Sequence, residues 1–167
     1  MYIVIKFLEN IKKFLRIKIK IFYFKLKYGK RLKIGSHLIF EKRFNINMSK
    51  NGKLVIGNNN YFNNDCSINC HNEIVIGDDN LFGENVKMYD HSHVFNTKNY
   101  NIKKNYIEKE IKIGNYNWIC SNAILLYKTN IGSGNVIGAN VVLNSKIDND
   151  YIVKSNDNLE IIKIERR

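Results

Sequence analysis

Between Ile113 and Leu143 every sixth residue is aliphatic: Ile113, Ile119, Leu125, Ile131, Ile137 and Leu143. Four residues after each stands a small or medium side chain, in turn Asn117, Ala123, Thr129, Asn135, Val141 and Ile147. A period of six belongs neither to an α-helix, at 3.6, nor to a flat strand, at 2. As a sustained repeat it predicts a parallel β-helix, in which six residues form one side of a triangular coil and like positions stack coil upon coil. Gly114, Gly132 and Gly138 directly follow three of the aliphatic residues, where a corner needs unusual dihedrals or close backbone approach.

The same period runs earlier through Ile34, Phe40 and Ile46, then Ile56, Phe62 and Ile68, then Ile76, Phe82 and Met88. Short inserts at Met48–Lys53 and around His71 and Asn72 separate these triplets, as a corner that bulges would do. From Val94 to Lys112 the period is lost in a polar stretch rich in Lys and Asn. An insertion of that length in a compact repeat is usually functional. The expected organisation is a segment 1–33, a β-helix 34–150 carrying an inserted loop 94–112, and a tail 151–167. Leu159, Ile161, Ile162 and Ile164 predict a terminal strand or short helix in the tail. The chain contains no proline, so its turns must come from Gly, Asn and Asp.

The net charge of +12 is unevenly spread. Residues 1–50 hold 14 basic and two acidic side chains, and the remaining 117 residues hold 13 of each. The repeat region is therefore neutral, which argues against a nucleic-acid surface, where basic and aromatic residues would be interleaved. Ile3, Phe7, Ile11, Phe14 and Leu15 share a helical face, whereas basic and apolar residues alternate strictly from Arg16 to Ile21, so the helix is expected to end or the signal to be mixed there. The apolar runs fall short of the ~20 residues of a membrane span. A signal-peptide core with a small-residue cleavage site is also missing. Two readings stay open for this basic amphipathic segment: it lies on an anionic membrane surface, or it covers the end of the β-helix. Cys66, Cys70 and Cys120 make no zinc-type pair, and free thiols in the repeat point to a reducing compartment.

Chemistry is expected just before the insertion, in Val86-Lys-Met-Tyr-Asp-His-Ser-His93. A histidine there is suited to general-base work near neutrality, with Asp90 or a backbone carbonyl to set its tautomer. The alternative is that His91 and His93 are surface histidines without a role.

From about Leu54 to Ile162 the order of parts resembles the left-handed β-helix acyltransferases, in particular the galactoside/maltose and capsular-polysaccharide O-acetyltransferases. The resemblance rests on VKMYDHSHVF, then a loop of some twenty residues, then IGNYNWICSNAIL and IGSGNVIGANVVLNSKIDNDYIV. It implies a mainly β, left-handed parallel β-helix, a homotrimer, acetyl-CoA as acyl donor, a carbohydrate acceptor and no metal. It also implies a cytoplasmic enzyme, and the membrane reading of the basic segment 1–33 would put that enzyme at the inner membrane face. An ungapped match places His93 on the catalytic histidine, with His91 as second candidate, Asp90 beside them and Tyr89 toward the acceptor. Trp118 falls on a tryptophan that lines the cleft of acceptor and thioester. Ser121, Gly138, Ala139, Asn144 and Ser145 fall along the pantetheine arm, and Lys154 near the cofactor phosphates. Two features depart from the pattern: Cys120 replaces a glycine, and Ser155-Asn-Asp-Asn-Leu159 replaces a Gly-x-Pro-Ala turn with its basic residue. Two other readings share the coil: a zinc hydratase of the γ-carbonic anhydrase type, drawing on His37, His71, His91 and His93, and a non-catalytic trimerisation scaffold.

Overall fold

The structure is a computed structural model that describes residues 2–94, 105–155 and 159–163. It forms two units, Met1–Leu32 and Lys33–Arg167.

The first unit is one α-helix, α1 (Tyr2–Tyr28), followed by a 3₁₀ turn, Gly29–Arg31. The alternation between Arg16 and Ile21 does not interrupt it. Lys is a good helix former and Ile a middling one. Lys18 lies over the ring of Phe14, one turn before it, and Lys20 over that of Phe24, one turn after it. Only Ile17, Phe24 and Tyr28 of α1 are buried. Ile3, Phe7, Phe14, Ile19, Phe22 and Leu26 are all more than half exposed. Among the described residues no helix is long and apolar enough to cross a membrane.

The second unit is a left-handed parallel β-helix with three faces. Its first face stacks Leu32–Ile34, Lys53–Ile56, Glu73–Ile76, Ile111–Ile113, Asn130–Ile131 and Lys146–Ile147. The second stacks Ile39–Phe40, Tyr61–Phe62, Leu81–Phe82, Trp118–Ile119, Val136–Ile137 and Tyr151–Ser155, with Leu159–Lys163 added antiparallel. The third stacks Asn45–Met48, Ser67–Cys70, Lys87–Tyr89, Ile124–Leu126 and Val142–Leu143.

Parallel register puts the six-residue series into columns. Ile76 pairs with Ile113 and Ile113 with Ile131; Phe82 pairs with Ile119 and Ile119 with Ile137; Met88 pairs with Leu125 and Leu125 with Leu143. All of these point inward and are buried, each large side chain contributing about 1.5–3 kcal/mol. Toward the N-terminal end the core is aromatic. The Phe62 and Phe82 rings stack at 4.2 Å and 1° between planes, and Phe44 bridges Phe40 and Phe62 at 4.8 Å to each.

Asparagine, set by the sequence four residues after the first-face aliphatics, has a structural task. Asn60, Asn80, Asn117 and Asn135 are buried one above another. The backbone N–H of Asn117 donates to Asn80 Oδ1 at 2.9 Å, and that of Asn135 to Asn117 Oδ1 at 2.8 Å. Their amides donate in turn to the carbonyls of Gly77, Gly114 and Gly132. Each corner thus saturates the polar groups of the next, as burial demands. No buried side-chain nitrogen or oxygen among the described residues lacks a partner.

The glycines that directly follow the first-face aliphatics are there for close approach, and Gly134, at φ 72°, is the corner glycine whose dihedral is left-handed. A Cβ on Gly77 would lie 2.6 Å from the Gly114 carbonyl oxygen, while the left-handed corner positions go mostly to Asn and Asp, including Asn59, Asp79, Asn85, Asn122 and Asn140. Two boundaries differ from the sequence expectation. Ile111–Ile113 already belongs to the first face, because Ile111 and Ile113 both point inward around Lys112, so the insertion is shorter than 94–112. At the other end Tyr151–Ser155 continues the second face beyond residue 150, with Val153 buried beside Ile137. The Leu159–Ile162 segment is a strand, and Ile164 lies outside the described residues.

Candidate functional site

Three of the four histidines gather where the third face turns into the first, and His37 stands apart between Leu32–Ile34 and Ile39–Phe40. Ser67–Cys70 ends at His71, and one coil later Lys87–Tyr89 ends at Asp90 and His91. The chain then leaves the coil as an antiparallel pair, His91–His93 with Tyr106–Glu108, in which His91 faces Glu108 and His93 faces Tyr106. Residues 95–104, the middle of the expected insertion, lie outside the described residues.

Asp90 is the anchor, and it is completely buried. Its Oδ1 accepts the backbone N–H of His71 at 2.7 Å and its Oδ2 that of Asn72 at 2.7 Å. Oδ1 also lies 3.1 Å from Nδ1 of His91. Its own carbonyl accepts the N–H of Lys109 at 2.9 Å, which ties down the return of the insertion. With the carboxylate as acceptor, the His91 proton sits on Nδ1 and the lone pair on Nε2. That is the tautomer a general base requires.

The His71 ring lies flat on that of His91, with centroids 3.6 Å apart and 9° between planes. Tyr106 meets both edge-on, at 4.7 and 5.6 Å, and Tyr89 meets His91 edge-on at 6.3 Å. His93 is exposed and lies 4.7 Å from Tyr106 at a tilt of 40°. Sequence matching favours His93 as base, but it is His91 that the structure sets against the carboxylate. Strand alternation puts both imidazoles on one side of the hairpin, and what separates them is that only His91 adjoins the corner where Asp90 turns inward.

Tyr106 and Glu108 are the residues that sequence reasoning missed, and His71 entered it only among the histidines of the zinc alternative. For His71 a signal existed. Coils here are 20 residues long, as Asn60 to Asn80 and Phe62 to Phe82 show, and His71 precedes His91 by one coil. Burial pulls the His71 pKa below its ordinary 6.5, with the charge of His91 as a second cause, while Asp90 and Glu108 act in the other direction. A histidine whose folded pKa lies below its unfolded value leaves stability intact above about pH 6.5, and the protein loses it as pH falls through the folded value. Melting temperatures between pH 7.5 and 5 should therefore drop more for the wild type than for His71→Phe.

The remaining expected residues lie elsewhere on the coil. Trp118 is 51% exposed on the second face, in register between Leu81 and Val136. Ser121 follows it at the corner of the second and third faces, its hydroxyl donating to Glu84 at 2.6 Å. Gly138 and Ala139 occupy that corner one coil on, where Asn140 N–H donates to the Ser121 carbonyl at 3.1 Å. Lys154 is exposed on Tyr151–Ser155. Asn144 and Ser145 are exposed at the histidine corner, two coils beyond His91. In a triangular coil the corner between the third and first faces is opposite the second face. A single chain therefore brings Tyr89, Asp90, His91 and His93 together and keeps Trp118, Ser121, Gly138, Ala139 and Lys154 away from them.

Beside the histidine corner a concavity of about 290 Å³ is lined by Lys109, Glu110, Lys112, Lys128, Thr129, Asn130 and Lys146. Cys66 and Cys70 are buried free thiols, and Cys120 is half-buried. Burial pushes the Cys66 thiol up to about 11 and also raises Cys70, next to Asp90. Neither offers a thiolate nucleophile near neutrality. The zinc-hydratase alternative calls for three histidines around one ion, and within one chain the described residues contain no group of three His, Cys, Asp or Glu placed to hold a metal.

No protein-family model matches the sequence, and no curated protein matches it. Solved structures do match. A hexapeptide-repeat acetyltransferase of Vibrio cholerae, complexed with acetyl coenzyme A, aligns over 82% of this chain and 72% of its own at 23% identity, with a TM-score of 0.66. An N-acyltransferase from Bacillus cereus, in complex with dTDP and 3-hydroxybutyryl-CoA, aligns over 81% and 73% at 17% identity and a TM-score of 0.68. A maltose O-acetyltransferase from Clostridium difficile aligns over 80% and 68% at 24% identity and a TM-score of 0.61. The chain shares the fold of these enzymes.

Proposed function

We propose that this protein is an acyltransferase that moves the acetyl group of acetyl-CoA to a carbohydrate hydroxyl, with His91 as general base. The observation that carries this reading is the buried Asp90 carboxylate against Nδ1 of His91, which leaves Nε2 free to take a proton. The shared fold adds support, since the similar structures include coenzyme-A-bound transferases.

In this mechanism Nε2 of His91 removes the proton of the acceptor hydroxyl as its oxygen attacks the thioester carbonyl. A C–O bond forms, the tetrahedral oxyanion collapses, and the C–S bond breaks. The CoA sulfur leaves with the proton that His91 had taken, so the enzyme returns to its starting state. Asp90 holds the imidazolium that forms in between. Much of the remaining acceleration comes from holding both substrates together.

A complete site needs a second copy of the chain. Trp118 and the small residues at Ser121, Gly138 and Ala139 are turned away from the histidines of their own coil, so they serve the histidines of a neighbour. The second face suits such packing: Ile39, Tyr61, Leu81, Trp118, Val136 and Ile152 form an apolar outward column across all six coils. Three chains around one axis place every interface alike, and sedimentation equilibrium should give a trimer mass. The concavity beside the histidines holds Lys109 and Lys128 together with Lys112 and Lys146, the latter two paired with Glu110 and Asp148. This excess of positive charge suits the phosphates of the donor or an anionic group of the acceptor. The helix α1, with eight basic residues, one acid and much exposed apolar surface, suits an anionic bilayer surface on the cytoplasmic side. Co-sedimentation with phosphatidylserine vesicles should be seen at low salt and weaken as salt rises.

The decisive test follows free thiol release from acetyl-CoA with a panel of sugar acceptors. His91→Asn is expected to lower kcat by at least about 100-fold while acetyl-CoA binding and the melting temperature stay unchanged. His93→Asn is expected to keep most of the activity. The reverse ranking would move the base to His93, and a protein that binds no acetyl-CoA would remove the acyltransferase reading.

A further inference from the structure

The reaction described above leaves His71 without a task, yet its ring is the closest aromatic group to the base. Imidazole rotates easily about its second side-chain torsion, whose preferences are broad and two-fold. The Asp90 hydrogen bond fixes where Nδ1 of His91 points but does not by itself fix the plane of the ring about that bond. A flat neighbour does. His71 lies parallel to His91 within 9°, and its own backbone is fastened by the same Asp90 carboxylate that holds the base. On its other sides it meets the edge of Tyr106, and Glu108 with a carboxylate oxygen 3.7 Å from Nδ1. His71 is therefore clamped between the coil corner and the hairpin, which makes it a rigid platform.

We propose that His71 is a positioning residue of the transfer reaction: its ring, lying flat on His91, sets the plane of the base and hence the line along which Nε2 meets the acceptor hydroxyl. This inference rests on the reading of His91 as base. A small angular error at a general base is costly, because proton transfer needs the hydrogen-bond line already in place, and misplacement by about 1 Å can cost on the order of 100-fold in rate. His71 acts through His91 and touches neither substrate, so its effect belongs in kcat.

The test uses the full chain and four proteins besides the wild type: His71→Ala, His71→Phe, His91→Asn, and His71→Ala combined with His91→Asn. His71→Ala is expected to lower kcat by about 10- to 100-fold with KM for acetyl-CoA unchanged. His71→Phe keeps a flat ring without a titratable nitrogen and is expected to restore most of the lost kcat. In the His91→Asn background, His71→Ala should lower the residual rate no further, since the two residues act as one unit. A His71→Ala protein with wild-type kcat would overturn the inference. So would a loss that persists undiminished in the His91→Asn background, or a well-folded His71→Phe protein as slow as His91→Asn. If His71→Ala does not fold, His71→Val takes its place as the variant without a flat ring, with the same expected loss and the same overturning result. An active His91→Asn protein would instead remove the base assignment on which the inference stands, and that outcome is read separately.

Discussion

Asp90→Ala is expected to destabilise the protein by about 3–5 kcal/mol and to abolish turnover. The carboxylate is wholly buried and accepts two backbone N–H groups at the His71 corner together with Nδ1 of His91. Alanine would leave both backbone donors without an acceptor in a place that water reaches poorly, and each such orphan costs roughly 1–3 kcal/mol. It would also let the His91 ring turn. Asp90→Asn is nearly isosteric but presents its NH₂ to one of the two N–H donors, so about 2–3 kcal/mol should still be lost. Thermal melting at one fixed protein concentration reads both effects, with about 2–4 °C per kcal/mol for a chain of this size. A loss below about 1 kcal/mol for alanine would mean that the corner is not held by this carboxylate in solution.

Phe62→Ala should cost a comparable 3–5 kcal/mol, roughly, and for a different reason. Phe62 is fully buried between Phe44 at 4.8 Å and Phe82 at 4.2 Å, in the middle of an aromatic column. Its neighbours are rings fixed by their own coils, so they cannot close over the void, and the cavity adds to the lost burial. Phe62→Leu keeps most of the volume and should cost less than about 1.5 kcal/mol. Urea unfolding of the three proteins separates the cases. Equal midpoints for alanine and wild type would show that this end of the coil is not packed as described. Activity is a poor reporter here, because the histidine corner lies on another edge of the coil.

Much of the fold was legible because a coil repeats. Ile113, Ile119 and Leu125 announce three sides by their spacing alone, and the same spacing at Phe40, Phe62 and Phe82 locates the aromatic column. The buried asparagines were visible as small residues four places after the first-face aliphatics, although their hydrogen-bonded stacking was not. At the site, the sequence pointed to the Asp90–His93 segment as a whole. It ranked His93 above His91 because a linear match counts positions and does not sense which imidazole adjoins the buried carboxylate. His71 was named only as one of four histidines open to zinc and not as a neighbour of the base, because it stood in an apparent slip of the period, yet a coil of 20 residues carries it directly beneath His91.

What the amino-acid order determined by itself is whatever depends on periodicity: a three-sided coil, its inward columns and the place where the repeat is broken. Those follow from burial, which is read off the spacing of apolar residues and hardly depends on anything remote. What tertiary structure alone decided is the company of the polar groups. Two backbone donors and an imidazole converge on one carboxylate, His71 and His91 share a stack, and Trp118 is turned to the side opposite them. Hydrogen bonds and ring contacts are short-ranged and directional, so those between residues 18 to 20 apart exist only once one coil has been laid on the next.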